Sequence, residues 1–181
     1  AAHAHGTEGI LFAIRAGVDS IEHSSLIDDE GLELAKRNGT FLSINAYTPV
    51  FMRDQGESLG IPPDSLKRAR SMADRRLDRY RAAIEAGARI VFGSDTSTYP
   101  HGDHAKQFSV YVELGMTPME AIQSATTVAA ESLGWVGDTG AVAAGYDADI
   151  IAVDGDPLED ISVLENVTFV MKGGEVYKSP Q

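Results

Sequence analysis

The feature that most constrains the fold is an alternation along residues 1–133, in which short apolar runs give way to stretches with helical spacing, punctuated by glycine. Each such helix carries the chain back before the next strand begins, so the pattern predicts βα units on a parallel sheet. Residues 1–4 read as a strand end, and 7–16 as a helix with Ile10, Leu11 and Ile14 on one face and Gly17 as its stop. Residues 20–22 form the next strand. Asp28 and Asp29 open a helix that ends at Asn38-Gly39, and 40–44 form a third strand. A long loop is expected over 45–63, then an arginine-rich solvated helix over 66–86 stopped by Gly87, and a fourth strand over 89–92. A second loop spans 96–103. Helices follow over 105–114 and 118–133, the latter opened by Thr117-Pro118.

After Gly134 the texture changes to glycine-rich turns and β-branched runs over 148–153, 167–171 and 175–177, with Gly173-Gly174 as the last turn. Two regions are therefore expected: an α/β part over 1–133 and a small β appendage over 134–181. A few short strands have too little area for a two-layer core, so their partner strands are expected from a segment outside this sequence. The same arithmetic applies to the α/β part, where about four βα units can be counted and closure of a (β/α)8 barrel takes eight. The fold class predicted is α/β. An open sheet edge invites pairing, so the rest of a larger protein or another chain is expected against it, and a homo-oligomer. The start, Ala1-Ala2-His3-Ala4-His5-Gly6, has no initiator Met and no basic-then-apolar leader, and reads as a cut.

Composition removes several classes of function. With 181 residues and 43% hydrophobic content, the chain can build a substantial core. No apolar run reaches 18 residues, which argues against a membrane span. A formal charge of -12 argues against a grip on phosphate backbones and so against a nucleic-acid partner. The absence of cysteine excludes disulfides and thiolate metal sites, and fits a reducing compartment such as the cytoplasm.

Three residues sit at the C-terminal ends of the expected strands, where a parallel barrel places its chemistry: His3, His23 in Ile21-Glu22-His23, and Asp95 in Phe92-Gly93-Ser94-Asp95. Imidazole and carboxylate suit a divalent ion such as zinc, and neighbouring strand ends can join ligands far apart in sequence. A lone histidine at a strand end often does no more than hydrogen-bond a loop; the three together point to function.

The string His3-Ala4-His5-Gly6, followed by Ile-Glu-His23 and then by Gly-Ser-Asp95 after a strand, resembles the amidohydrolase superfamily, in particular its imidazolonepropionase-like and prolidase-like branch. The likeness continues through Gly115-Met116-Thr117-Pro118-Met119-Glu120-Ala121-Ile122 and Ala125-Thr126-Thr127 to Gly140-Ala141-Val142 and Gly145-Tyr146-Asp147-Ala148-Asp149-Ile150. It implies that residues 1–133 supply strands five to eight, the second half of a (β/α)8 TIM-type barrel, and that 134–181 are strands of a small β-sandwich; His3 and His23 would be metal ligands after strands five and six, and Asp95 ligand and general base after strand eight. It also implies one or two divalent ions, with zinc favoured. The remaining ligands, a His-x-His pair and a lysine, would belong to an N-terminal half of the same enzyme. The implied reaction is metal-assisted hydrolysis of amide bonds in small molecules or peptides, such as N-acyl amino acids or dipeptides. A cyclic-amide hydrolase, a deaminase, or a non-catalytic half-barrel module that needs a complementary chain are the alternatives.

His5 is assigned a supporting or substrate-facing place, farther out than His3 and His23. Tyr47, His101 and His104 lie in loops expected at the same rim and are candidates for substrate contact, as is Arg53 for a substrate carboxylate. Glu22 is expected to alternate to the far side of its strand. The arginines at 68, 70, 75, 76, 79 and 81, mixed with Asp74 and Asp78, read as a salt-bridged outer helix face, and Trp135 as a packing residue.

Overall fold

The computed structural model describes residues 1–97 and 99–180. Its first part runs β1 (Ala2–Ala4), α1 (Thr7–Arg15), β2 (Ser20–His23), α2 (Asp29–Asn38), β3 (Phe41–Ile44), α3 (Tyr47–Gln55), α4 (Pro63–Glu85) and β4 (Ile90–Phe92). A 3-10 turn at Asp103–Ala105 leads into α5 (Lys106–Glu113), α6 (Pro118–Ser124) and α7 (Thr127–Ser132). The four strands lie side by side in the order β1-β2-β3-β4, all parallel, with His3 opposite Glu22, Glu22 opposite Ser43, and Ser43 opposite Val91.

This register divides the sheet into two faces. Ala4, Ile21, Leu42, Ile44 and Ile90 point into a core shared with Ile10 and Ile14 of α1, Leu32 and Ala35 of α2, Leu77, Tyr80 and Ala83 of α4, and Val110, Tyr111 and Leu114 of α5. Each fully buried Ile or Leu contributes roughly 1.5–3 kcal/mol of transfer free energy, so this face drives the sheet and its helices together. The alternate residues His3, Glu22 and Ser43 line a cavity on the opposite face, together with Gly93. Side-chain size is restricted there, because a Cβ on Gly93 would stand 2.3 Å from Ser43 Oγ.

Helix ends follow the residues that flank them. Asp28 accepts from Gly31 N–H at 2.8 Å, two further acids fill the first turn of α2, and Gly39 closes it at φ 71°. Thr117 and Glu120 form a reciprocal capping box with Pro118 in the first turn of α6. Two expectations are corrected. The loop predicted over 45–63 contains α3, because Pro49 falls in the first turn, where its missing N–H is not needed, and the residues after it are free to continue as helix. The single helix predicted over 118–133 breaks at Ala125-Thr126; Thr126 leaves helical geometry, at φ -126° and ψ -95°.

Beyond Gly134 three antiparallel strands, β5 (Ile150–Val153), β6 (Val167–Lys172) and β7 (Glu175–Lys178), form a second sheet in that order. A 3-10 segment, Ile161–Glu165, buries Ile161 and packs toward α5. Ile151, Val176 and Tyr177 of this sheet stay exposed, as does Trp135, which the sequence reading treated as a packing residue. Among the described residues no helix is long and apolar enough to cross a membrane.

Candidate metal centre

The site begins with the backbone at the strand ends. His23 and Ser24 adopt φ 78° and 49°, and Asp95 φ 46°, the three non-glycine residues with positive φ among those described. Such a conformation costs a non-glycine residue about 1–3 kcal/mol and persists where surrounding contacts hold it. Here Ser24 N–H donates to Ala4 O at 3.1 Å, Leu26 N–H to His5 O at 2.9 Å, and Thr7 Oγ1 to Leu26 O at 2.7 Å, which ties the β2 exit to the β1 exit. The left-handed turn breaks strand alternation at His23. Its ring therefore swings to the same side as Glu22 and His3 instead of following Ala4 into the core. Glu22 is thus corrected from the far side of the strand to the cavity wall, where its carboxylate accepts from Ser20 Oγ at 2.8 Å.

Three imidazoles meet at this point. His23 Nε2 lies 3.0 Å from His3 Nδ1, and the His5 ring stacks on His23 with 4.4 Å between centroids and stands edge-on to His3 at 4.7 Å. His3, His5 and His23 can each offer a ligand atom, all within 4.8 Å of one another. His5 therefore stands inside the group, contrary to the outer place expected for it. The helix α1 starts only at Thr7, so residues 3–5 are still extended, and alternation puts His3 and His5 on one side. Asp95 lines the same cavity with Glu22, Ser43 and Asn45, but its carboxylate falls outside that 4.8 Å group. Asn45, 4% exposed, donates to Asp95 Oδ2 at 3.5 Å.

The donors fit a divalent ion. Neutral imidazole is a ligand for such ions, and His23 Nδ1 is buried with no hydrogen-bond partner among the described residues. Partial burial, followed by His23, Arg76 and His3, holds the His5 imidazole below its ordinary pKa, with Asp95 pulling in the opposite direction. Arg76 is itself corrected from the outer face of α4. Its Nε is buried with no hydrogen-bond partner among the described residues, whereas Arg79 pairs with Asp29, Arg81 with Asp78 and Arg70 with Glu57.

Tyr47, His101 and His104 form a separate group around the β4 to α5 connection and do not line the histidine cavity. His104 Nδ1 meets Thr96 Oγ1 at 2.8 Å and Ser94 Oγ at 3.1 Å, and exposed His101 stands 5.8 Å from its ring. The Tyr47 ring packs edge-on against Tyr99 at 4.8 Å, and burial raises its hydroxyl pKa. Arg53 is held by Asp54 at 2.7 Å. Sequence reading missed Ser43, Asn45 and Gly93. The alternation Ser43-Ile44-Asn45 contains the signal, since a buried Ile44 forces its two polar neighbours toward the other face.

Parallel βα units with imidazole donors and a carboxylate at their C-terminal rim define an α/β protein with a metal-competent histidine site. The chain belongs to the amidohydrolase family, which it matches over residues 1–177. It is 41% identical over 185 residues to ochratoxinase from Aspergillus niger, covering 99% of this chain and 38% of that protein. It is 37% identical over 150 residues to imidazolonepropionase from Rubrobacter xylanophilus, covering 80% of this chain and 31% of the relative. A solved Xaa-Pro dipeptidase with methionine bound in its active site superposes with a TM-score of 0.91 at 42% identity, over 98% of this chain and 44% of that one. The chain spans well under half the length of these relatives.

Proposed function

We propose that this chain supplies part of the metal site of an amide-bond hydrolase acting on N-acyl amino acids or dipeptide-like substrates. The observation that carries the reading is the convergence of His3, His5 and His23 within 4.8 Å at the ends of adjacent parallel strands, with Asp95 facing the same cavity. In this reading residues 1–133 are strands five to eight of a (β/α)8 barrel and residues 134–181 are strands of a β-sandwich, both completed by an N-terminal segment of the same enzyme. Support comes from the open edges: β1 and β4 border the four-stranded sheet, and Ile151, Val176 and Tyr177 leave apolar surface on the small one.

His3 and His23 would hold a divalent ion, zinc being favoured, with Asp95 as the carboxylate ligand. When bound, such an ion lowers the pKa of water and polarises a scissile carbonyl. Asp95 is the group placed to accept the proton at a carboxylate oxygen and return it to the leaving amine, and Asn45 holds that carboxylate toward the cavity. Arg76, whose buried Nε has no hydrogen-bond partner among the described residues and whose charge acts on His5, would be the α4 cation available to a substrate carboxylate.

The test is bound metal and hydrolysis of a panel of dipeptides and N-acyl amino acids, measured on this chain alone and with an N-terminal segment taken from a family relative. Metal retention and turnover with the segment, both lost in His23→Ala, are the expected result. Turnover that survives chelation and His23→Ala contradicts it. Metal retention without turnover on any amide would favour the non-catalytic half-barrel instead.

A further inference from the structure

A line of buried polar atoms joins Asp95 to His5 through three residues outside the donor set. Asn45 Nδ2 donates to Asp95 Oδ2 at 3.5 Å, and the Tyr80 hydroxyl donates to Asn45 Oδ1 at 3.2 Å. Ser25 Oγ lies 3.5 Å from the Tyr80 hydroxyl, and His5 Nδ1 lies 2.8 Å from Ser25 Oγ. Asn45, Tyr80 and Ser25 are 4%, 0% and 3% exposed, so each must find its partners inside the protein.

The chemistry of the groups gives this line a direction. An ionised carboxylate only accepts, so Asn45 turns its amide nitrogen to Asp95 and is left with its carbonyl oxygen toward Tyr80. That oxygen also only accepts, and the Tyr80 hydroxyl spends its single proton on it. Ser25 can then meet the Tyr80 oxygen only by donating its own proton, which leaves Ser25 Oγ as an acceptor for His5. In this arrangement His5 carries its proton on Nδ1, and its free lone pair lies on Nε2. The Asn45–Asp95 and Ser25–Tyr80 links are the longest in the line, at 3.5 Å each; a Ser25 proton turned to His5 instead of Tyr80 would put the His5 proton on Nε2, and the tautomer measurement separates the two arrangements.

We propose that Ser25, Tyr80 and Asn45 are positioning residues that transmit the acceptor character of Asp95 to His5, fix its imidazole as the Nδ1-protonated tautomer and present Nε2 to His3 and His23. His5 thereby becomes a third imidazole donor instead of a substrate-facing side chain. The same line assigns a task to α4, the long helix between β3 and β4, whose Tyr80 bridges the exits of β2 and β3. Only the metal arm of the test below rests on the metal-site reading.

Histidine-selective 15N labelling of the full 181-residue chain, read by two-bond proton–nitrogen correlation, reports the tautomer of each ring. His5 is expected as the Nδ1–H form. In Tyr80→Phe it should move toward a mixed or Nε2–H population while exposed His101 stays unchanged. Ser25→Ala cuts the line at its last link without disturbing the core tyrosine, and is expected to give the same shift should Tyr80→Phe fail to fold. A wild-type His5 in the Nε2–H form, or a His5 signal unmoved in the folded variants, overturns the proposal. Zinc titrated into the same samples should bind about 10–100-fold more weakly to the variants, the usual cost of losing a residue that orients a ligand. Unchanged zinc affinity overturns the claim that the line serves the donor set. The expected tautomer shift in a chain that binds no zinc would sustain the line and refute the metal-site reading.

Discussion

Tyr111→Phe tests how the strand exits are held. Tyr111 is fully buried on α5, donates to Ile44 O at 2.6 Å and accepts from Gln107 Nε2 at 3.1 Å; burial raises its pKa well above the usual phenol value. Gln107, also 0% exposed, donates to Gly93 O at 3.0 Å and accepts from Tyr47 N–H at 3.3 Å. This network fastens the end of β3, just before Asn45, to the end of β4, just before Asp95. Removing one oxygen leaves the Ile44 carbonyl without its hydroxyl donor and costs Gln107 one of its acceptors. A buried polar group without a partner costs about 1–3 kcal/mol, so a loss of about 2–4 kcal/mol is expected from the pair. In urea denaturation the midpoint should fall with an unchanged slope. Thermal melting should drop by roughly 4–16 °C, at about 2–4 °C per kcal/mol for a chain of this size. Tyr177→Phe, the same chemical change at a site 67% exposed, should stay within about 0.5 kcal/mol of wild type. A Tyr111→Phe protein that matches Tyr177→Phe would refute the reasoning.

Asp95→Ala in the enzyme completed by an N-terminal segment should remove turnover more fully than any other single change, whereas His101→Ala should raise KM with kcat nearly unchanged; steady-state kinetics separate the two. Asp28→Ala should cost about 0.5–2 kcal/mol in denaturant titration, because the Gly31 N–H loses its cap. Thr117 N–H and Oγ1–H hold the Glu120 carboxyl below its ordinary pKa. Stability from that capping box should therefore be present above the unfolded carboxylate range and fade as pH falls through the lowered value. Glu120→Gln should flatten this dependence, which the difference between the two proteins' acid stability curves will show.

The parallel sheet was legible because its apolar runs are short and each is followed by a helix with its own stop signal; Gly39 at φ 71° is one such stop. The register that sets His3 opposite Glu22 follows from the same alternation. What the sequence hid depends on single backbone angles and on tertiary distance. Nothing in a two-residue period announces that His23 turns left-handed, which brings it to the same side as Glu22; His5 joins the group because residues 3–5 stay extended before α1 begins at Thr7. The stretch over 45–63 reads as a loop until Pro49 is seen in a first helical turn. Arg76 and Tyr80 look like parts of one solvated, arginine-rich helix, and only packing against the exits of β2 and β3 separates the buried face from the outer one.

The central claim concerns where a metal goes. Anomalous diffraction from crystals of the chain soaked in zinc measures this directly. A peak roughly 2.0–2.2 Å from one nitrogen each of His3 and His23, the two imidazoles assigned to the ion, is the result expected for zinc, and His23→Ala should abolish it. A peak held instead by His101 and His104, or a well-ordered histidine group that takes up no zinc, would contradict the account.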